Sequence, residues 1–368
     1  MINAAALKDS AYLVALLFHF AEVELLKRAG DDLVALSEID QDAQIVKARQ
    51  LLAYEQYAAR VLDSTHDLVV RELMELVNAA EEAGRYSAVA DLRELGYHSA
   101  IMPQQVEAVQ EIAREMIAAV NQIPARALRA SLDAFMEAQA YATGTTVLGA
   151  LTRRDAAQVM MERLADQGIS GFRDRAGRWW RADTYTEMAV RTGTMNIVTT
   201  AALHTYEQNG VSYVQVSDSS YECSLCRPYE GKILAIDSRT PTGPVETGDM
   251  LTGGRTTFTV TATVDYAKAD GLLHPNCTHS LDPFIPGATP EDPPLKQDWE
   301  TYQASQYQRG LERDYRRWIR REAAAITDLA KMEAVHAINA IDDEIEALVS
   351  QYPKLVRKPH RESPFTAR

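Results

Sequence analysis

The sequence predicts an α+β protein that is mainly α-helical, and three observations carry that prediction. Apolar residues recur at three- and four-residue spacings through most of residues 1–170, the pattern of helices that bury one face. After Gly168 the texture changes to short runs of β-forming residues separated by glycine, proline and threonine. All three cysteines fall in one constellation, Cys223-Ser-Leu-Cys226 followed by His274-Pro-Asn-Cys277-Thr-His279, which supplies what a four-coordinate zinc site needs.

In chain order, Leu13, Leu16, Leu17, Phe20, Val23 and Leu26 mark a first helix, with Gly30 as its stop. A second, free of proline, runs from Ala43 to Ala80 on Leu51, Leu52, Val61, Leu62, Leu68, Leu73 and Leu76. Pro103 and Pro124 each precede a fresh helical pattern, the place proline takes in a first turn, and an alanine-rich helix follows from Ala125 to Leu151. These elements make a helical N-terminal region over residues 1–170.

Residues 171–287 read as a small α+β unit. Trp179-Trp180, flanked by Arg178 and Arg181, closes a small core or serves as a docking anchor. A helix from Thr184 to Gln208 ends at Asn209-Gly210. Strands are expected over Val211–Val216, Lys232–Ile236 and Thr256–Val264, the last half-buried and antiparallel because threonines alternate with Phe258, Val260, Ala262 and Val264. Between the last two strands, Ser238–Gly254 reads as a loop. A proline-rich acidic linker over 288–298 leads to one long charged helix over 299–352 and an extended tail over 353–368.

Zinc favours sulfur and imidazole nitrogen in a tetrahedron, and a C-x2-C knuckle offers two sulfurs to one ion without straining the backbone. The expected ligands are Cys223, Cys226 and Cys277, with His279 or His274 as the fourth. An ion there ties two loop ends together and adds folding free energy to the unit. Three sulfurs and a histidine fill the coordination sphere, so the zinc reads as structural, whereas hydrolytic zinc keeps a position open for water. Glu230, beside the CxxC, reads as a loop carboxylate more readily than as a general base. The sequence has no Gly-x-Ser-x-Gly, no Walker loop and no His-Glu-x-x-His, and no enzyme is expected.

Fifty-two acidic against 38 basic residues give a formal charge of −14, which excludes a globally basic nucleic-acid coat. Three clustered cysteines are too few for a secreted disulfide framework and point to a reducing, cytosolic folding environment. Met1 is followed by a neutral start and the acidic Asp9, so no signal peptide is expected. The apolar run from Ala11 to Phe18 is broken by His19, Glu22 and Glu24, so membrane insertion is not expected either.

Several segments, in order, resemble the minor capsid proteins of tailed bacteriophages, the Mu F-like head morphogenesis group and its relatives. They are Met188-Ala-Val-Arg191-Thr192-Gly-Thr-Met-Asn196, Cys223 to Lys232, Leu273-His274-Pro275-Asn276-Cys277 with His279 and Pro283 to Gly287, and Tyr302 to Arg313. The resemblance covers residues 185–325. It implies a low-copy virion protein, assembled in the host cytoplasm and sited at the portal vertex. Its partners would be the portal protein and other capsid proteins, and it would assist capsid assembly and DNA packaging or ejection.

Against that background Arg309, Arg313, Arg316 and Arg320, which share a helix face by spacing, read as a patch for packaged DNA or an acidic portal surface. The alternative is a solvated face paired with Glu312, Asp314 and Glu322. Two other classes stand beside the structural reading. One is a virion-carried enzyme, either ADP-ribosyltransferase-like through Arg191, Ser217-Asp-Ser219 and Glu344-Ile-Glu346, or a zinc hydrolase using Glu230. The other is a zinc-stabilised DNA-binding adaptor.

Overall fold

The computed structural model describes residues 4–37, 43–101, 106–147, 152–218, 225–249, 252–274, 277, 279–289 and 298–362. The helices are α1 (Ala4–Ser37), α2 (Ala43–Glu94), α3 (Glu107–Asn121), α4 (Ile123–Val147), α5 (Arg153–Gln167), α6 (Ala182–Gln208), α7 (Val264–Ala269), α8 (Trp299–Ala323) and α9 (Asp328–Gln351). The strands are β1 (Phe172–Arg173), β2 (Trp179–Trp180), β3 (Tyr213–Val216), β4 (Ile233–Ala235), β5 (Gly243–Gly248), β6 (Arg255–Thr263) and β7 (Leu281–Pro283). The chain is mainly helical with a small sheet, as its sequence predicts.

Element boundaries differ where tertiary packing overrides local signals. Helix α1 runs through Gly30, its expected stop, to Ser37. A glycine inside a helix costs about 1 kcal/mol against alanine, but Leu33 and Leu36 beyond it are buried, and their burial outweighs that penalty. Pro124 sits in the first turn of α4, as predicted, while Pro103 lies outside the described residues.

The single helix expected over 299–352 is two. Thr327 caps α9 by accepting from Ala330 N–H at 3.3 Å, and Gln158 Oε1 accepts from the N–H groups of Ile326 (2.6 Å) and Thr327 (3.1 Å). The break therefore leaves these donors satisfied, which a charge pattern does not reveal. The expected loop over 238–254 contains β5, which pairs antiparallel with β6. Strand β6 alternates in burial as predicted, but its other neighbour, β4, runs parallel to it.

The chain forms two compact units, each assembled from separated stretches. One comprises Met1–Ala11, Leu73–Ile117 and Met188–Tyr302; the other comprises Tyr12–Glu72, Ala118–Glu187 and Gln303–Arg368. The sequence suggests consecutive regions instead. Helices α1, α2, α3, α6 and α8 each give residues to both units, so the divisions fall inside helices and not in linkers.

In the first unit the sheet has the order β5-β6-β4-β3-β7. Val214, Val216, Leu234, Ala262 and Leu281 of the sheet share a buried core with Ala88 and Leu92 of α2 and Leu203 and Tyr206 of α6. The Tyr206 hydroxyl donates to Asp91 Oδ2 at 2.8 Å and joins the two helices. They pack tightly at Gly84, where a Cβ would overlap the Val198 carbonyl oxygen and stand 2.9 Å from Ala201 Cβ. Gly84→Ala should therefore destabilise the unit by about 1–3 kcal/mol, because backbone must move to admit the methyl group. Gly193→Ala should cost less, since its methyl meets the flexible side chain of Met116. Urea unfolding of the two variants tests that order.

The second unit is helical apart from the β1–β2 hairpin. Trp180 Nε1 donates to Asp174 Oδ2 at 2.9 Å and its ring meets Tyr185 edge-on at 5.7 Å, so this tryptophan closes a small core, while Trp179 is exposed. A polar network occupies the interior, where His19, Glu22, Asp183 and Arg320 are all buried. Glu22 Oε1 accepts from Ser170 Oγ at 3.0 Å, and its other oxygen lies 3.8 Å from Arg320 Nε, which itself donates to Ala165 O at 2.9 Å. His19 Nδ1 lies 3.7 Å from Asp183 Oδ2. Arg316 donates to the Tyr12 hydroxyl and the Arg361 carbonyl oxygen.

This network corrects the expected basic face. Arg316 and Arg320 are buried and Arg309 is partly buried, leaving Arg313 as the exposed member of the four. Helical spacing defines a face without saying which side meets solvent, and buried carboxylate and carbonyl oxygens draw arginine inward.

Arg317 and Arg321 point elsewhere, each forking onto Asp166 of α5. The distances are 2.7 and 3.0 Å from Arg317, and 2.7 and 2.6 Å from Arg321. Burial raises the Asp166 carboxyl, but the hydrogen bonds and charges of the two guanidinium groups outweigh it and hold the group well below the usual carboxylate range. A folded-state pKa below the unfolded value near 4 gives stabilisation that is present above about pH 4 and lost as pH falls through lower values. Asp166→Asn should cost about 1–2 kcal/mol at pH 7, with the difference from wild type shrinking towards pH 3 in urea unfolding.

Candidate metal centre

Strands β3, β4 and β7 meet at one end of the sheet in the first unit. Gln215 pairs with Ile233 and Val216 with Leu281. Beyond these pairs Ser217 N donates to Ser280 O at 3.0 Å, and Ser280 N donates to Ser217 Oγ at 2.9 Å. The β3–β4 turn is thereby fixed beside the segment that runs from α7 to β7. Cys226 opens a short 3-10 helix, Arg227–Tyr229, in that turn, and Gly231 at φ +67° lets Lys232 lead into β4.

On the facing segment Leu273 has φ 58°, the one positive value at a non-glycine residue among the described residues. Such a leucine conformation is strained and persists where the surroundings over-determine it. It precedes His274, whose carbonyl oxygen accepts from Cys277 N at 2.9 Å.

Cys223 lies outside the described residues, as do Pro275 and Asn276. Of the other expected ligands, Cys226, His274 and Cys277 have their ligand atoms within 4.8 Å of one another. The Cys226 and Cys277 sulfurs are 3.5 Å apart. Tetrahedral zinc places its ligand atoms about 3.5–3.8 Å from one another, so this donor set fits such an ion with small adjustment.

His279 is held differently. Its Nδ1 lies 3.2 Å from Cys277 Sγ, its Nε2 lies 2.6 Å from Glu230 Oε1, and its backbone N–H donates to Cys277 Sγ at 3.4 Å. Both ring nitrogens are engaged, and both the His279 and Glu230 side chains are buried. Of the two histidines the sequence offers, His274 joins the sulfurs and His279 stands behind one of them.

The electrostatics follow this arrangement. In the protein without metal, the hydrogen bond to Cys277 raises His279 to about 9, against the opposing effect of burial and with help from Glu230. Burial pushes the Cys277 thiol up, but the hydrogen bonds from His279 more than offset it and bring the thiol down to about 7. A thiolate is the form that binds a metal ion. Arg191, Thr192, Met195, Asn196 and Thr199 of α6 complete the surroundings, lining a small pocket with Leu273, His274, Cys277 and His279.

Residues 3–350 match the family described as phage minor capsid protein 2. The chain belongs to that family. A curated relative, a "Structural protein" of Lactococcus phage LL-H, is 27% identical over 212 residues, which cover 53% of this chain and 52% of the relative. The chain thus spans about half the length of that relative. No solved structure matches it.

In this member of the phage minor capsid family, Ser217, Glu230, Glu344 and Glu346, among the residues considered for catalysis, have partners elsewhere in the fold. Ser217 is bonded to Ser280, and Ser219 lies outside the described residues. Glu344 accepts from Tyr307 and Glu346 pairs with Arg357 at 3.2 Å. Glu230 is committed to His279, a partnership that sequence reasoning missed because the two are far apart in the chain. Its one signal was position, between the CxxC and the Gly231 turn.

Proposed function

We propose that this chain is a structural component of the phage head, a minor capsid protein that joins other capsid proteins at the portal vertex in low copy. The observation that carries the reading is the family match over residues 3–350. The relative named as a phage structural protein supports it. Among the described residues no helix is long and apolar enough to cross a membrane.

In this reading zinc is held by Cys226, His274 and Cys277, with Cys223 as the fourth ligand. The ion fastens the β3–β4 turn to the approach of β7. A closed sphere of thiolates and imidazole supplies a cross-link and no position for substrate water. DNA has a narrow footing, because Arg313 is the exposed member of the four arginines once considered for it. Protein partners are therefore the better expectation.

Mass spectrometry of purified virions, with immunogold labelling of the chain, tests the reading. The expected result is a chain present far below the major shell protein and labelled at a single vertex. Absence from virions, or labelling spread over the shell, would contradict it.

A further inference from the structure

We propose that Glu230 and His279 form the outer shell of the metal centre, acting on the ion through the sulfur of Cys277. This rests on the reading of Cys226, His274 and Cys277 as metal ligands. His279 places both its Nδ1 (3.2 Å) and its backbone N–H (3.4 Å) on Cys277 Sγ. Glu230 Oε1 lies 2.6 Å from the far nitrogen, Nε2, which fixes the ring with its Nδ1 edge turned to the sulfur. The pair is buried, with 3% and 7% of the two side chains exposed, so water does not compete for these hydrogen bonds.

Hydrogen bonds to a metal thiolate draw charge from the sulfur and orient it. Outer-shell partners of this kind change metal affinity by about 10–100-fold when removed. Glu230 and His279 are thus positioning residues. Cys226 and Glu230 flank the two ends of the same 3-10 helix, so a single short loop provides a ligand and the support for another ligand.

The test uses the full chain loaded with Co2+, with zinc affinity measured by competition against a chromophoric chelator. Wild type should show a tetrahedral cobalt spectrum with thiolate-to-cobalt charge transfer. His279→Leu and Glu230→Gln should keep the tetrahedral spectrum, shift the charge-transfer band and weaken zinc binding about 10–100-fold. His279→Asn, which retains an N–H donor near the Nδ1 position, should restore much of the wild-type band. His274→Ala should lose the tetrahedral signature.

Loss of the tetrahedral signature in His279→Leu with retention in His274→Ala would make His279 the ligand and overturn the assignment. Band and affinity unchanged in both His279→Leu and Glu230→Gln would overturn the outer-shell role alone. A wild-type chain that binds neither metal would overturn the metal reading as well. Far-UV circular dichroism of the isosteric Glu230→Gln variant separates these results from misfolding.

Discussion

Arg320→Met should lower the stability of the second unit by about 3–5 kcal/mol, the cost of leaving a buried carboxylate without its counter-charge. Arg320 and Glu22 are both fully enclosed; Ser170 donates to Glu22 and Arg320 is its ion-pair partner, with Arg181 a weaker second cation and His19 and Asp183 close by. Burial pushes the Glu22 carboxyl up and the Arg320 charge opposes that push. Without the guanidinium the folded-state pKa rises further above the unfolded value. A raised folded pKa gives stability that is present at low pH and lost as pH rises through it. The deficit of Arg320→Met should therefore be smaller at pH 5 than at pH 8.

Adding Glu22→Leu to Arg320→Met should recover part of the loss, because a buried pair exchanged for apolar groups is often neutral. Urea unfolding followed by tryptophan fluorescence measures this, since Trp179, Trp180 and Trp318 all lie in the second unit. Equal stability of wild type and Arg320→Met at pH 8 would show that the ion pair contributes nothing.

Removal of the proposed zinc should have the other large effect. An ion that binds the folded chain alone stabilises it by about 4 kcal/mol when its free concentration is 1,000 times Kd. A strong chelator should lower the wild-type melting temperature accordingly. Cys226→Ser should melt at the lower temperature with or without chelator, because the hydroxyl does not replace a thiolate. The difference between the two chelator responses isolates the metal from the cost of burying a hydroxyl at Cys226, which is fully buried. A chelator response retained in Cys226→Ser would remove that residue from the ligand set.

Much of the fold was legible because periodicity reports burial directly. The apolar spacing of α1, the proline at the start of α4 and the alternation in β6 all correspond to observed elements. What the sequence concealed depends on partners far away in the chain. Gly30 was a plausible stop until Leu33 and Leu36 found a core, and the α8–α9 break relies on Gln158. The basic face failed for the same reason, because the partners of Arg316 and Arg320 lie near the beginning of the chain and in α5.

Part of the candidate site was legible too. Cysteine and histidine are scarce, and their spacing carries chemistry before any packing is known. Cys226, His274 and Cys277 do converge. Spacing could not choose between His274 and His279, since either can reach a sulfur from the same turn. In the proposed centre the choice of His274 rests on Glu230, which engages His279.

In the proposed reading this constellation is a closed metal clip in a structural protein. The most direct measurement is the metal content of the full chain, purified without added metal or chelator, by inductively coupled plasma mass spectrometry. One zinc ion per chain is expected, lost in Cys277→Ser. A folded, metal-free wild-type chain whose stability does not respond to added zinc would contradict it.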